Sequence, residues 1–379
     1  MIIKRREFFS MSAGALISGY SGKICDAVKV KNNYSVYFSA GSDLENNYFF
    51  SGFSVSGNEK FRLSLPSRGH GTAHRPNSGE VAIIARRPGK YILVVDSYNG
   101  EKLAQIDSID GRHFYGHGVY SMDGLWLYAT ENEYETGDGV IGVYDVRDGY
   151  KLVETIQTYG IGPHEIVFLG DGKTMVVANG GIMTHPESGR HKLNLAEMDS
   201  SLVYIEINSG KLLSKHKLTP ELKLMSIRHL DVGLEDNIAL VMQYQGPRRH
   251  LLPLVGFQKG SSAIEMLQAP QMIVSRMKNY CGSVAFDMSG KLVAVSSPRG
   301  GVITFWSVSE KRFLTYLEAK DGCGVAPENT PGCFRISNGL GQIIRYSPLI
   351  QKTEILVSAK KTRWDNHLLF AGSENAGLV

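Results

Sequence analysis

The chain carries eleven histidines, and four of them share a local setting. His117, His164, His229 and His367 each stand at or beside the start of a short apolar run, tens of residues apart. If those runs are equivalent strands pointing the same way, their first residues gather at one end of the molecule. Imidazole is a common ligand for zinc, copper, iron and nickel. Glu165, next to His164, can orient such a ligand or accept a proton. His70, His74 and His185 sit in stretches that read as loops able to reach the same end. Cys323, flanked by Gly322 and Gly324, adds a soft donor there. A mixed nitrogen and sulfur set favours copper, iron or zinc over calcium or magnesium. Two or three of the four histidines, joined by Cys323 or a carboxylate, form the expected ligand set. The competing account is that each histidine only hydrogen-bonds a neighbouring strand and locks one repeat to the next.

Two other charged groupings have both a functional and a plain reading. Glu131-Asn132-Glu133, with Glu135 and Asp138 beyond, is either a solvated acidic loop or a site for a hard cation. Arg75, Arg86 and Arg228 lie near turns on the histidine side. They suit an anionic ligand or a partner carboxylate, and ion pairs between repeats are an equal alternative.

The elements that must position these residues are hairpins. Around Gly170-Asp171-Gly172 two β-branched runs face each other, Ile166 to Leu169 and Thr174 to Asn179, which is a hairpin pattern. The pattern recurs. Expected inner strands are Val81 to Ala85, His117 to Ser121, His164 to Leu169, His229 to Val232, Ser283 to Asp287, Cys333 to Ser337 and His367 to Ala371. Most are followed by three further strands, a repeat near the length of a propeller blade. Tyr34 to Ala40, Tyr48 to Val55 and Lys60 to Leu65 lack an inner partner, and His367 to Ala371 lacks outer ones. Joining them makes one blade from both termini and closes the ring, which removes exposed edges. The sequence therefore predicts an all-β, seven-bladed β-propeller whose first blade is closed by N- and C-terminal strands. A sandwich with a second β domain is the alternative. Gly180 to Asp199 and Gly246 to Ala269 read as long loops interrupting the fourth and fifth blades, and long loops are often functional.

Composition narrows the class. With 379 residues, 42% hydrophobic and 21% charged, the chain is an ordinary globular protein with a large core. The formal charge of +4 is small for this length, and no basic block outside the N-terminus suits a nucleic acid. No apolar stretch is long enough to span a bilayer. At the N-terminus, Lys4-Arg5-Arg6-Glu7-Phe8-Phe9 resembles a twin-arginine export signal and precedes a modest apolar segment, Met11 to Tyr20. Residues 1–27 are read as that leader and 28–379 as one propeller domain, with the protein exported to the periplasm.

Several runs then resemble a known family. They include Phe114 to Ser121, Tyr128 to Asn132, Gly160 to Glu165, Ala178 to Pro186, Ser226 to His229, Asp321 to Ala326 and Trp364 to His367. Together they resemble the bacterial family catalogued as domain of unknown function 1513. The resemblance implies a seven-bladed propeller of the quinoprotein and YVTN type, and export. It also implies a link to iron acquisition, with imelysin-like or dihaem-peroxidase-like proteins as partners. It implies no reaction.

Cys281, Cys323 and Cys333 remain beyond the leader, and an oxidising compartment predicts a disulfide with one thiol left over. Cys281 with Cys333 and Cys323 with Cys333 are both open. Pairing the first two leaves Cys323 for a metal. No haem-attachment, nucleophile-elbow, phosphate-loop or dinucleotide motif is present. The sequence thus favours a monomeric periplasmic propeller that binds a transition metal at its channel mouth and serves iron or copper handling. A non-catalytic interaction scaffold is the alternative. A metal-dependent enzyme is a weaker third, since the carboxylate-rich calcium centre of propeller lactonases has no counterpart.

Overall fold

A computed structural model describes residues 35–189 and 191–372. The twin-arginine-like segment and Cys25 lie outside the described residues. The strands form seven antiparallel sheets, arranged as the blades of a propeller. In blade 1 the strand Ser35–Ser42 pairs on one side with Tyr48–Ser54 and on the other with Leu369–Gly372, Val36 facing Ala371 and Phe38 facing Leu369. Arg363–Trp364 extends that inner edge. Both ends of the chain therefore close the first blade.

The other inner strands are Gly69–His74, Arg112–Tyr120, Pro163–Phe168, Met225–Val232, Ser283–Phe286 and Gly322–Pro327, in blades 2 to 7. Two of the expected inner strands are corrected here. Val81 to Ala85 and Cys333 to Ser337 fall in second strands, Glu80–Ala85 and Phe334–Asn338. The true inner strands read Gly-His-Gly-Thr-Ala-His and Gly-Cys-Gly-Val-Ala-Pro. They are poor in apolar residues because the crowded axis leaves little side-chain volume, so by sequence they resemble loops. The stretch from Gly246 to Ala269 is corrected as well. It supplies the third and fourth strands of blade 5, Val255–Gln258 and Glu265–Leu267.

Burial explains the composition of each strand. Second and third strands lie between neighbouring blades and are apolar on both faces, as in Val81, Ala82, Ile83 and Ile84, all fully buried. Outer strands alternate, and Lys211–Lys217 is exposed at every second residue. Lysines on these edges deter pairing with another chain. The apolar core is divided by blade interface. Separate clusters join blades 1 and 2, 2 and 3, 3 and 4, 6 and 7, and 7 and 1. One larger cluster runs through blades 4, 5 and 6. Burying both faces of every sheet makes the ring stiff, which a precise site at the axis requires.

The expected disulfide is also corrected. Cys281, Cys323 and Cys333 are all free and buried. Cys333 precedes a second strand and Cys281 an inner one, so the two do not occupy equivalent positions.

Candidate metal centre

Inner strands of blades 2 to 5 share an irregularity with that of blade 7, whose register slips between Gly322 and Val325, and the strand of blade 6 lacks it. Their pairing with the second strand slips at the mouth of the channel. The register shifts between Gly69 and Thr72, Phe114 and Gly118, Pro163 and Ile166, and Ile227 and His229. A bulge of this kind re-aims side chains. Here it encloses or adjoins His70, His117, the His164-Glu165 pair, and His229. Glycine permits the close approach of neighbouring strands. A Cβ on Gly71 would lie 2.5 Å from the Gly116 carbonyl oxygen, and Gly116 (φ +107°) faces the His70 ring. His367 enters just ahead of the closing strand of blade 1, its carbonyl accepting from the Ser39 hydroxyl at 2.8 Å.

Five imidazoles and one carboxylate from five blades consequently meet. His117 lies with ring centroids 4.9 Å from His164, 5.4 Å from His229, 4.6 Å from His367 and 5.0 Å from His70. His164 and His229 are 4.6 Å apart, and His70 and His367 4.4 Å. Two overlapping sets place one ligand atom per residue within 4.8 Å of all the others. One is His117, Glu165, His229 and His367; the other is His70, His117 and His164. His117 belongs to both.

Carboxylates fix how these rings stand. Glu165 receives His229 Nδ1 at 3.0 Å, His117 Nδ1 at 3.3 Å and the Leu230 amide at 2.9 Å. Asp365 receives His70 Nδ1 at 3.0 Å and Arg68 Nε at 2.5 Å. An ionised carboxylate only accepts, so the ring nitrogens facing it carry the protons. That leaves Nε2 of His70, His117 and His229 as lone-pair donors, the tautomer that a metal needs. Burial tends to raise Glu165, but His117 and His229 outweigh it and hold the carboxyl well below its ordinary range. Asp365 is held low in the same way, by His70 and Arg68 against burial. Burial pushes the imidazoles down: His70 to about 3 despite Asp365, His229 lower than usual despite Glu165, and His164 and His367 well below. These four rings are therefore neutral near pH 7 and ready to bind a cation.

Three buried nitrogens in this cluster have no hydrogen-bond partner: His117 Nε2, His164 Nδ1 and His367 Nε2. Each such group costs about 1–3 kcal/mol when left unpaired. An ion with bonds of about 2.1 Å spans at most about 4.2 Å between donors, so small side-chain movements would close the set around one.

The remaining expected residues are placed as follows. Cys323 lies in neither set. It stands on the inner strand of blade 7, not a loop, and its thiol donates to the carbonyls of Trp364 and Ser337 at 3.4 and 3.6 Å. Burial pushes that thiol up to about 12, which disfavours the thiolate a metal would need. His74 ends the Gly69–His74 strand, away from the mouth. Glu131 is buried in blade 3, accepting from the Tyr144 hydroxyl and paired with Arg112 at 3.7 Å. Arg75 is committed to Glu80 and the Gly124 carbonyl. His185 lies on the long loop of blade 4 and Arg228 beside His229; both line a cavity above the cluster. Asp365 was the residue sequence reasoning passed over, although it sits inside the Trp364-to-His367 run.

Closed ring, bulged inner strands and an imidazole cluster at one mouth define a histidine-centred seven-bladed propeller. Residues 63–371 match the family described as Protein of unknown function (DUF1513), and the chain belongs to that family. No curated protein matches the chain significantly. Among solved structures it is similar to the periplasmic gluconolactonase PpgL of Pseudomonas aeruginosa, at 15% identity and a TM-score of 0.62 over 89% of this chain and 99% of that one. It is also similar to hydrazine synthase of Kuenenia stuttgartiensis, at 14% identity and a TM-score of 0.59 over 91% of this chain and 100% of that one. At such identities the likeness concerns the fold.

Proposed function

We propose that this protein binds a transition metal at the channel mouth through His117, His229 and His367, with His70 and His164 within reach and Glu165 and Asp365 orienting the rings. The observation that carries this reading is the pair of overlapping ligand sets, together with three buried imidazole nitrogens, on His117, His164 and His367, that have no hydrogen-bond partner. An all-imidazole donor set oriented by carboxylates suits zinc, copper or iron. The finer reading is iron or copper handling in the periplasm, beside imelysin-like or dihaem-peroxidase-like proteins. It is supported by the twin-arginine-like leader and by the family resemblance. Elemental analysis of protein purified from its native compartment, with titration of the chelator-treated protein, tests it. We expect near-stoichiometric metal, and His117→Ala should weaken affinity at least 100-fold, because both ligand sets lose a member. Metal-free protein without micromolar affinity for any of the three ions would overturn the reading.

A second reading has its own support. Glu165 of blade 4 bonds His117 of blade 3 and His229 of blade 5, and such ties also lock blades together. If the histidines serve only that purpose, His117→Ala lowers stability and changes no binding property.

A further inference from the structure

Above the histidine cluster opens a cavity of about 820 Å³ that reaches His70, His164 and His229. Its charge is one-sided. Six arginines and two lysines line it, with no aspartate or glutamate among the described lining residues. Arg68 is neutralised by Asp365. The others come from separate regions: Arg86 and Arg87 after the second strand of blade 2, Lys192 on the blade 4 loop, Arg228 and Arg248 in blade 5, Lys278 ahead of the inner strand of blade 6, and Arg299 in blade 6. Concentrated like charge costs folding energy, so it calls for a counter-charge.

Arg228 gives the second, independent observation. It is 8% exposed, lines the cavity, and its Nε has no hydrogen-bond partner. A buried guanidinium nitrogen left without an acceptor is expensive unless a ligand supplies one. Lys192 is pushed down first by burial and then by Arg228, Arg299 and Arg87, all positive. Aromatic faces hold two of the guanidiniums in place: Arg299 lies 4.1 Å from the Tyr280 ring centroid and Arg87 6.0 Å from that of Tyr115. The volume suits a small organic molecule.

We propose that this cavity binds a small, multiply charged oxyanion, a polycarboxylate or phosphate compound, whose acidic groups pair with Arg228, Lys192, Arg87 and Arg299. The anion would sit directly over the imidazole cluster, where its free oxygens face any metal held there. The site does not depend on the metal reading, because its charge is present without an ion.

Calorimetric titration of chelator-treated full-length protein with citrate and, separately, pyrophosphate tests it and tells the two chemistries apart. We expect a dissociation constant in the micromolar range for at least one of them, rising steeply with salt. Arg228→Gln should weaken binding at least 30-fold and, since it removes an unneutralised buried charge, should raise the Tm of the ligand-free protein. Lys192→Gln, at an exposed loop position, should weaken binding about fivefold with Tm unchanged. No binding of either anion at millimolar concentration would overturn the proposal, as would binding that neither substitution alters. A metal-binding failure would leave these outcomes untouched.

Discussion

Blades 4 and 6 are built alike on their outer three strands and differently at the axis. Both bury apolar second strands, Thr174–Asn179 and Leu292–Ser297, and both turn through an Asp- or Ser-Gly corner with glycine in the left-handed region, Gly172 and Gly290. On the inner strand they part. Ser283–Phe286 of blade 6 pairs in unbroken register and presents serine, valine, alanine and phenylalanine. Pro163–Phe168 of blade 4 slips by a bulge and presents His164 and Glu165 to the channel. The same scaffold is thus kept rigid by interblade packing while a local slip, present in blades 2 to 5 and in blade 7, accompanies histidines of the cluster in the first four. Function has been added at the innermost strand without altering what holds the ring together.

The largest effect expected from this asymmetry is acid lability. Unfolded histidine titrates near 6.5, whereas the buried rings of His70, His229 and His367 titrate lower. Below 6.5 the unfolded chain therefore binds protons that the folded chain refuses, and stability present above that pH is lost as pH falls. His70, lowered to about 3, by itself gives a slope approaching about 1.4 kcal/mol per pH unit; the lowered rings of His164, His229 and His367 and buried His113, lowered to about 4, add to it. Chemical denaturation of metal-free protein between pH 6.5 and 5.0 measures the slope. A value under about 1.4 kcal/mol per unit would mean the cluster is protonated in the folded state. His367→Asn should remove one ring's share, and Ser283→Ala in blade 6 none.

A smaller effect separates strain from close packing. Gly116 combines positive φ with a contact, since its Cβ would fall 2.7 Å from His70 Cδ2, while Gly111 (φ +77°) has open space. Gly111→Ala should cost about 1 kcal/mol from backbone conformation alone. Gly116→Ala should cost about 2–3 kcal/mol and also weaken metal affinity by displacing His70. Equal costs for the two would show that strand proximity at the mouth is not needed.

Smallest is the effect of Cys323→Ala. The sequence suggested a ligand, but the thiol is turned into the core against Trp364 and Ser337. Metal affinity should stay within about twofold of the parent, with a stability loss of about 1–2 kcal/mol for the cavity. A tenfold loss of affinity would return Cys323 to the site.

Periodicity made much of the fold legible. Alternating apolar strands and glycine turns announced seven blades, and the mismatch between three unpartnered strands at one end and one at the other announced the closure. The strands it misplaced were those whose residues, Gly69 to His74 and Gly322 to Pro327, are too small and polar to register as strands. The histidines were visible by type and position, His164 and His229 most plainly because they begin apolar runs.

The chain's own chemistry determined that imidazoles would stand on or beside inner strands, since residue type and the two-residue period of a strand are local properties. Their place at strand starts is corrected, because His117 and His229 lie inside Arg112–Tyr120 and Met225–Val232, while His164 stands near a beginning. Which of them meet was decided by the tertiary structure. Pairing slips of one or two residues accompany His70, His117 and Cys323 alike, yet only the two imidazoles join the cluster while the thiol bonds Trp364 and Ser337 in the core; slips of that size have no signature in composition. The basic cavity is likewise a tertiary product: Arg87, Lys192, Arg228 and Arg299 are far apart in sequence, nearly balanced by acids along the chain, and become one field only when four regions of the ring converge.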